Sequence, residues 1–113
     1  MVMKTPKPSI CAFSLLLLLT PAARAQTYSL GTTNLLEAPA AGSDSVVLSA
    51  TPTGATWAAR TNASWLHLSA ANQSGASSAN VVFTFDANPG ATRTGTLTIA
   101  GQTLPITQAD LYP

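Results

Sequence analysis

Charge is scarce in this chain: 8% of its 113 residues are Asp, Glu, Lys or Arg. Cysteine (Cys11 alone), histidine (His67 alone) and aromatic residues (6%) are scarce as well, and each shortage excludes something. A lone cysteine builds no disulfide framework, and a lone histidine beside it makes no Cys/His set at zinc-ligand spacing. Lys4, Lys7 and Arg24 all lie in the first 25 residues, so residues 26–113 keep Arg60 and Arg93 against Glu37, Asp44, Asp86 and Asp110, a formal charge of −2. That segment lacks the basic groups that neutralise phosphates, so neither nucleic acid nor an anionic membrane is an expected partner. The acids are scattered, with no Asp-x-Asp calcium loop and no evident carboxylate pair for glycoside hydrolysis. His67 has no nucleophile or orienting acid marked near it in the chain, which makes a solvated surface histidine the expected reading. No catalytic residue, metal or cofactor is expected.

Long apolar runs are missing too, except at the start. Lys4 and Lys7 precede a predominantly apolar run from Ile10 to Leu19, and Ala23-Arg24-Ala25 places small residues where a signal peptidase reads. This is the pattern of a secretory signal peptide cleaved before Gln26. The run is shorter than the roughly 20 residues a membrane-crossing helix needs. A secreted location, extracellular or periplasmic, is therefore expected, with no membrane association once residues 1–25 are removed.

What remains is small, hydroxyl-rich and patterned with period two. No apolar spacing of i, i+3, i+4, i+7 occurs after residue 25, which argues against helices. Residues 26–42 predict a weak first strand followed by a linker. In residues 43–54, Val46 and Leu48 alternate with Val47 and Ser49 until Pro52 and Gly54 break the run. Residues 56–61 and 64–69 predict two short strands, the second with Leu66 and Leu68 on one face and Trp65 and His67 on the other. Residues 71–79 are polar and small, a loop. Residues 80–88 show the clearest alternation, with Val81, Phe83 and Phe85 facing a core. Asn88-Pro89-Gly90 is a turn, because Pro fixes φ and Gly accepts the positive φ that other residues resist. Residues 93–108 predict a hairpin turning at Gly101-Gln102, whose last strand is an edge or bulged one because Pro105 has no N–H to donate. About seven short antiparallel strands at this spacing point to an all-β, immunoglobulin-like β-sandwich, with a small barrel as the alternative.

Trp57, Asn62-Ala63-Ser64-Trp65-Leu66, Asn88 with Pro89-Gly90-Ala91, Arg93-Thr94-Gly95-Thr96-Leu97-Thr98-Ile99-Ala100-Gly101 and the closing Ile106-Thr107-Gln108 together resemble the BACON domain family. The likeness covers about residues 43–109, leaving 110–113 as a tail. It implies an immunoglobulin-like sandwich in secreted bacterial proteins, commonly beside glycoside hydrolases, proteases or other repeats, and a proposed carbohydrate- or mucin-binding role.

Sugar recognition needs an exposed aromatic face with polar side chains beside it. Phe83 and Phe85 read as core, and so does Trp57, because such a sandwich buries a tryptophan between its sheets. Trp65 has two readings. With Leu66 and Leu68 inward it stands out beside His67 and Asn62, a trio suited to carry a glycan or cell-surface polysaccharide. With an irregular strand it covers one end of the sandwich instead. Arg93 is expected to pair with Asp86 across the Asn88 turn or to stack on an aromatic ring. The competing class of function is a structural spacer, or a module offering an edge strand to a protein partner.

Overall fold

The computed structural model describes residues 25–112, so the expected signal peptide lies, apart from Ala25, outside the described residues. The described residues form nine strands: β1 (Thr27–Leu30), β2 (Leu35–Glu37), β3 (Gly42–Thr51), β4 (Thr56–Thr61), β5 (Leu66–His67), β6 (Ser74–Ala76), β7 (Ala79–Phe85), β8 (Arg93–Ile99) and β9 (Gln102–Gln108). A four-stranded sheet has the order β1-β3-β7-β5, and a five-stranded sheet the order β2-β9-β8-β4-β6. Every pairing is antiparallel except that of β2 with β9. The fold is all-β, two sheets packed as a sandwich.

Period two explains the packing. Val46, Leu48, Leu66, Val81, Phe83 and Phe85 of the first sheet and Trp57, Ala59, Leu97, Ile99, Leu104 and Ile106 of the second form one buried cluster. The residues between them stay largely outside: Ser, Thr and Asn, with Val47 and Val82 the large apolar exceptions on β3 and β7. Fully burying one such large apolar side chain stabilises the fold by about 1.5–3 kcal/mol, so the alternation itself is enough to fix which face points inward.

Four local expectations are corrected. Residues 71–79 are not a plain loop: a 3₁₀ turn, Ala70–Asn72, leads into β6, which pairs with Thr56, Trp57 and Ala58 of β4. The strand expected over 64–69 shrinks to two residues, because the Leu66 N–H donates to the Ala63 carbonyl at 3.2 Å and closes a turn just before it. The last strand is not an edge: β2 lies along it from Ile106 to Gln108, and Pro105 falls one residue before that pairing begins. The hairpin turns at Ala100-Gly101, not Gly101-Gln102, since Ile99 pairs directly with Gln102.

Both turn residues have positive φ, 52° at Ala100 and 78° at Gly101. That conformation suits the right-handed twist of a two-residue hairpin but crowds the Ala100 Cβ. Ala100→Asn should therefore stabilise the domain by about 0.5–1 kcal/mol, read as a raised denaturant midpoint at unchanged slope. An unchanged or lowered midpoint would show that the hairpin does not feel this residue.

Candidate functional site

Three of the residues that carry the family resemblance, Asn88, Arg93 and Gln108, converge at one end of the sandwich, where β7 hands over to β8. Asn88 is buried. Its Nδ2 donates to the carbonyls of Ala91 (2.8 Å) and Ala109 (2.9 Å), and its Oδ1 accepts from the Gly90 N–H at 3.1 Å. Gln108, with 0% of its surface exposed, joins three segments. Its Nε2 donates to the carbonyls of Asp86 (2.8 Å), Ala38 (3.2 Å) and Pro39 (3.3 Å), while its Oε1 accepts from Arg93 Nε at 2.9 Å. A buried amide costs little only when its hydrogen bonds are made, and here both ends of Gln108 are engaged.

Arg93 completes the cluster. Its Nη2 donates to the carbonyls of Asp86 (3.1 Å) and Ala87 (3.0 Å), and its guanidinium carbon lies 4.4 Å from the Trp65 ring centroid. Of the two readings of Arg93, the stacked one is observed, and the expected pairing with Asp86 is to its backbone carbonyl. The Asp86 carboxylate turns instead to His67, whose Nε2 lies 3.1 Å from both of its oxygens.

The three residues expected to bind sugar are held differently from one another. Trp65 sits in the turn before β5, half-buried, with Arg93 over its ring and Gly95 packed close beside it. Asn62 is exposed but employed: its Oδ1 accepts from the Thr96 N–H at 2.7 Å, and its own N–H donates to the Thr96 carbonyl at 3.1 Å, tying the end of β4 to β8. His67 stands on β5, about half exposed and held by Asp86. Trp65 therefore does not share a strand face with His67, because the strand begins one residue after it.

His67 lines a cleft of about 320 Å³ that opens where β5 of one sheet faces β4 of the other. Ala59, Leu66 and Leu68 supply apolar lining, and Arg60, Thr61, His67 and Gln73 supply polar lining. Gln73 is fixed by its Nε2, which donates to the Leu68 carbonyl at 2.9 Å, and by its carbonyl, which accepts from the Ala59 N–H at 2.8 Å. A carboxylate accepts, so the Asp86 contact fits the tautomer with the proton on His67 Nε2, in which Nδ1 is the acceptor. Arg60, Gln73 and the Asp86 partnership escaped sequence reasoning. They are separated from His67 by 7, 6 and 19 positions, and no local pattern marks the change of sheet that brings them together. A strand pairing did hold a readable clue to Asp86, since β5 lies along the end of β7.

One more group is set apart by its surroundings. Glu37 of β2 is 8% exposed, and its Oε2 has no hydrogen-bond partner. Burial, then a hydrogen bond with Asp44 and the charge of Asp44, push its carboxyl up from 4.5 to about 7. The folded state thus binds this proton more tightly than the unfolded state, so the contribution of Glu37 to stability is full below pH 4.5 and is lost as the pH rises through about 7. Glu37→Gln should leave stability unchanged at pH 4 and raise it by about 1–2 kcal/mol at pH 8, allowing for solvent screening. Parallel stability–pH curves for the two proteins would contradict this.

Comparison with known proteins places these elements. A solved structure, a Bacteroides ovatus GH5 xyloglucanase in complex with a XXXG heptasaccharide, is similar in fold, with a TM-score of 0.63 at 20% sequence identity, covering 75% of this chain and 19% of that one. This chain thus spans about a fifth of the length of that structure's chain, and at such identity the likeness is one of fold alone. No curated protein matches the chain. Residues 55–109 match the family model described as "BACON: Putative binding domain, N-terminal". From Ala55 to Ala109, spanning β4 to β9 and the whole Asn88–Arg93–Gln108 cluster, the chain is a BACON-family domain.

Proposed function

We propose that this chain is a secreted, non-catalytic module that binds glycans in the cleft between β4 and β5. The observation that carries the reading is His67, held by Asp86 at a cleft whose lining mixes Leu66 and Leu68 with Arg60, Thr61 and Gln73. Apolar surface for the C–H face of a sugar and oriented donors and acceptors for its hydroxyls are what such recognition requires. The family's description as a binding domain and the sugar-complexed xyloglucanase of similar fold support the same reading. Asn62 and Trp65 are not among the residues that line the cleft. Trp65 offers a sugar only what Arg93 leaves of its ring.

The competing reading, an edge strand offered to a protein partner, finds less support. The outer strands β1, β2, β5 and β6 are two to four residues long. Exposed stretches of β7 and β3 are capped by side chains, Asn72 Oδ1 accepting from the Val82 N–H at 2.9 Å and the Ser78 hydroxyl from the Ala50 N–H at 2.9 Å. Short and capped edges resist strand addition.

A polysaccharide panel with the wild type, His67→Ala and Trp65→Ala tests the proposal. Wild type should bind at least one glycan, and His67→Ala should weaken it about tenfold with the fold intact, the usual worth of one oriented hydrogen bond in a site. Absence of binding to every glycan by the wild type would sink the proposal and leave the spacer reading.

A further inference from the structure

We infer that the cleft takes a glycan bearing a carboxylate, a uronic or sialic acid type of sugar, and that Arg60 is the residue that selects it. This inference rests on the reading of the cleft as a glycan site and names the class of sugar. The described residues contain two cations, Arg60 and Arg93. Arg93 is spent: its Nε and Nη2 are bonded to Gln108, Asp86 and Ala87, and its face covers Trp65. Arg60 is exposed on β4 and lines the cleft, and its guanidinium has neither an ion pair nor a hydrogen bond among the described residues, only its backbone being paired, opposite Thr98 of β8.

The acids do not compensate it. Glu37 and Asp44 face one another between β2 and β3, Asp86 directs both oxygens to His67, and Asp110, beyond the end of β9, makes no ion pair with Arg60. A guanidinium left unopposed beside a partly apolar cleft presents a planar fork of donors with no acceptor of its own. A neutral hydroxyl meets one of those N–H groups, whereas a carboxylate meets two in parallel through charge-assisted bonds roughly twice as strong. Across the cleft His67 Nδ1 is open to a ring hydroxyl; beside Arg60 the Thr61 hydroxyl, which donates to the Ala63 carbonyl at 3.4 Å, keeps its oxygen as an acceptor, and Leu66 and Leu68 meet the C–H face. The arrangement suits an acidic sugar held by its carboxylate at Arg60 and by its hydroxyls at His67.

The test is calorimetric titration of the purified protein with a galacturonate tetramer and with sialyllactose, each beside its methyl ester, and with neutral xylotetraose. At least one acid should bind about tenfold or more tightly than its own ester, the worth of one charge-assisted pair. Arg60→Gln should bring that acid down to the level of the ester, and Arg60→Lys, which keeps the charge and loses the fork, should fall between. Acid and ester bound equally, or a preference that survives Arg60→Gln, would overturn the selection of acidic sugars and leave glycan binding standing. Binding to xylotetraose or other neutral glycans alone would do the same. Failure of every acidic and neutral glycan to bind would overturn both.

Discussion

Replacing Gln108 with leucine is expected to cost about 3–5 kcal/mol, much of the 5–15 kcal/mol that holds a domain of this size folded. The side chains have similar volume, so the loss is one of hydrogen bonding and not of packing. Leucine would leave the Ala38 carbonyl and the Nε–H of Arg93 unpaired and take one of two donors from the carbonyls of Pro39, which keeps the Asn88 N–H, and Asp86, which keeps Arg93 Nη2, in a place where Gln108 itself has no exposed surface. Each buried group left unpaired costs about 1–3 kcal/mol, and water reaches some of them once the site loosens. Arg93 would also lose the bond that aims it over Trp65, so tryptophan emission should shift to the red in the folded variant. Gln102, exposed at the start of β9, provides the control: its leucine variant should stay within about 0.5 kcal/mol of wild type. Equal effects at the two positions, read by urea denaturation, would show that the Gln108 network does not hold this end of the sandwich together.

The second large effect is expected at Gly95. A Cβ added there would lie 2.8 Å from Ala63 Cβ, 2.8 Å from Leu66 Cδ1 and 3.0 Å from Trp65 Cζ2. Those atoms belong to the turn that carries the chain from β4 to β5, so glycine is what lets that turn close onto β8. Gly95→Val should destabilise by about 3 kcal/mol, the upper end of what overpacking a core costs. Gly90→Ala, where a Cβ would meet nothing within 4 Å, should change little. If the clash with Ala63 is the cause, Ala63→Gly should restore part of the loss in a Gly95→Ala background, a coupling that a double-mutant cycle measures. Additive effects would place the strain elsewhere.

How much of this was legible in the sequence depends on the range of the interaction. Alternation marked Val46, Leu48, Val81, Phe83 and Phe85 as core, because burial on a strand is decided by the nearest neighbours in the chain. Residues 56–61 were read as β4 and residues 93–108 as the hairpin of β8 and β9, with its turn placed one residue late. Alternation says which way a side chain points, not which sheet its strand joins, so the parallel seat of β2 on β9 and the pairing of β6 with β4 stayed hidden. Residues 74–76, Ser-Gly-Ala, hold no apolar signal at all; they are a strand because the β4 edge offers its ladder and Gly75 lies close against the Trp57 ring.

The candidate site was legible only in part. Trp57 was read as core and is buried. Trp65, His67 and Asn62 were grouped by a strand that turned out to be two residues long, and the structure distributes them among three tasks: covering Gly95, facing the cleft and capping Thr96. The motif residues Asn88, Arg93 and Gln108 drew attention through their pattern, and their hydrogen bonds account for them as the framework of one end of the sandwich. The cleft beside that framework is built from Arg60 and Gln73, which no pattern had singled out.

The claim that binding belongs to this cleft is tested most directly by a ¹H–¹⁵N titration of residues 26–113, which contain every strand of both sheets, with a galacturonate tetramer and with xylotetraose. The account predicts that the largest shift changes fall on the amides of Arg60, Thr61, His67, Leu68 and Gln73, with the Thr94–Thr98 face undisturbed. Changes concentrated on that threonine face, or none with either sugar, would contradict it.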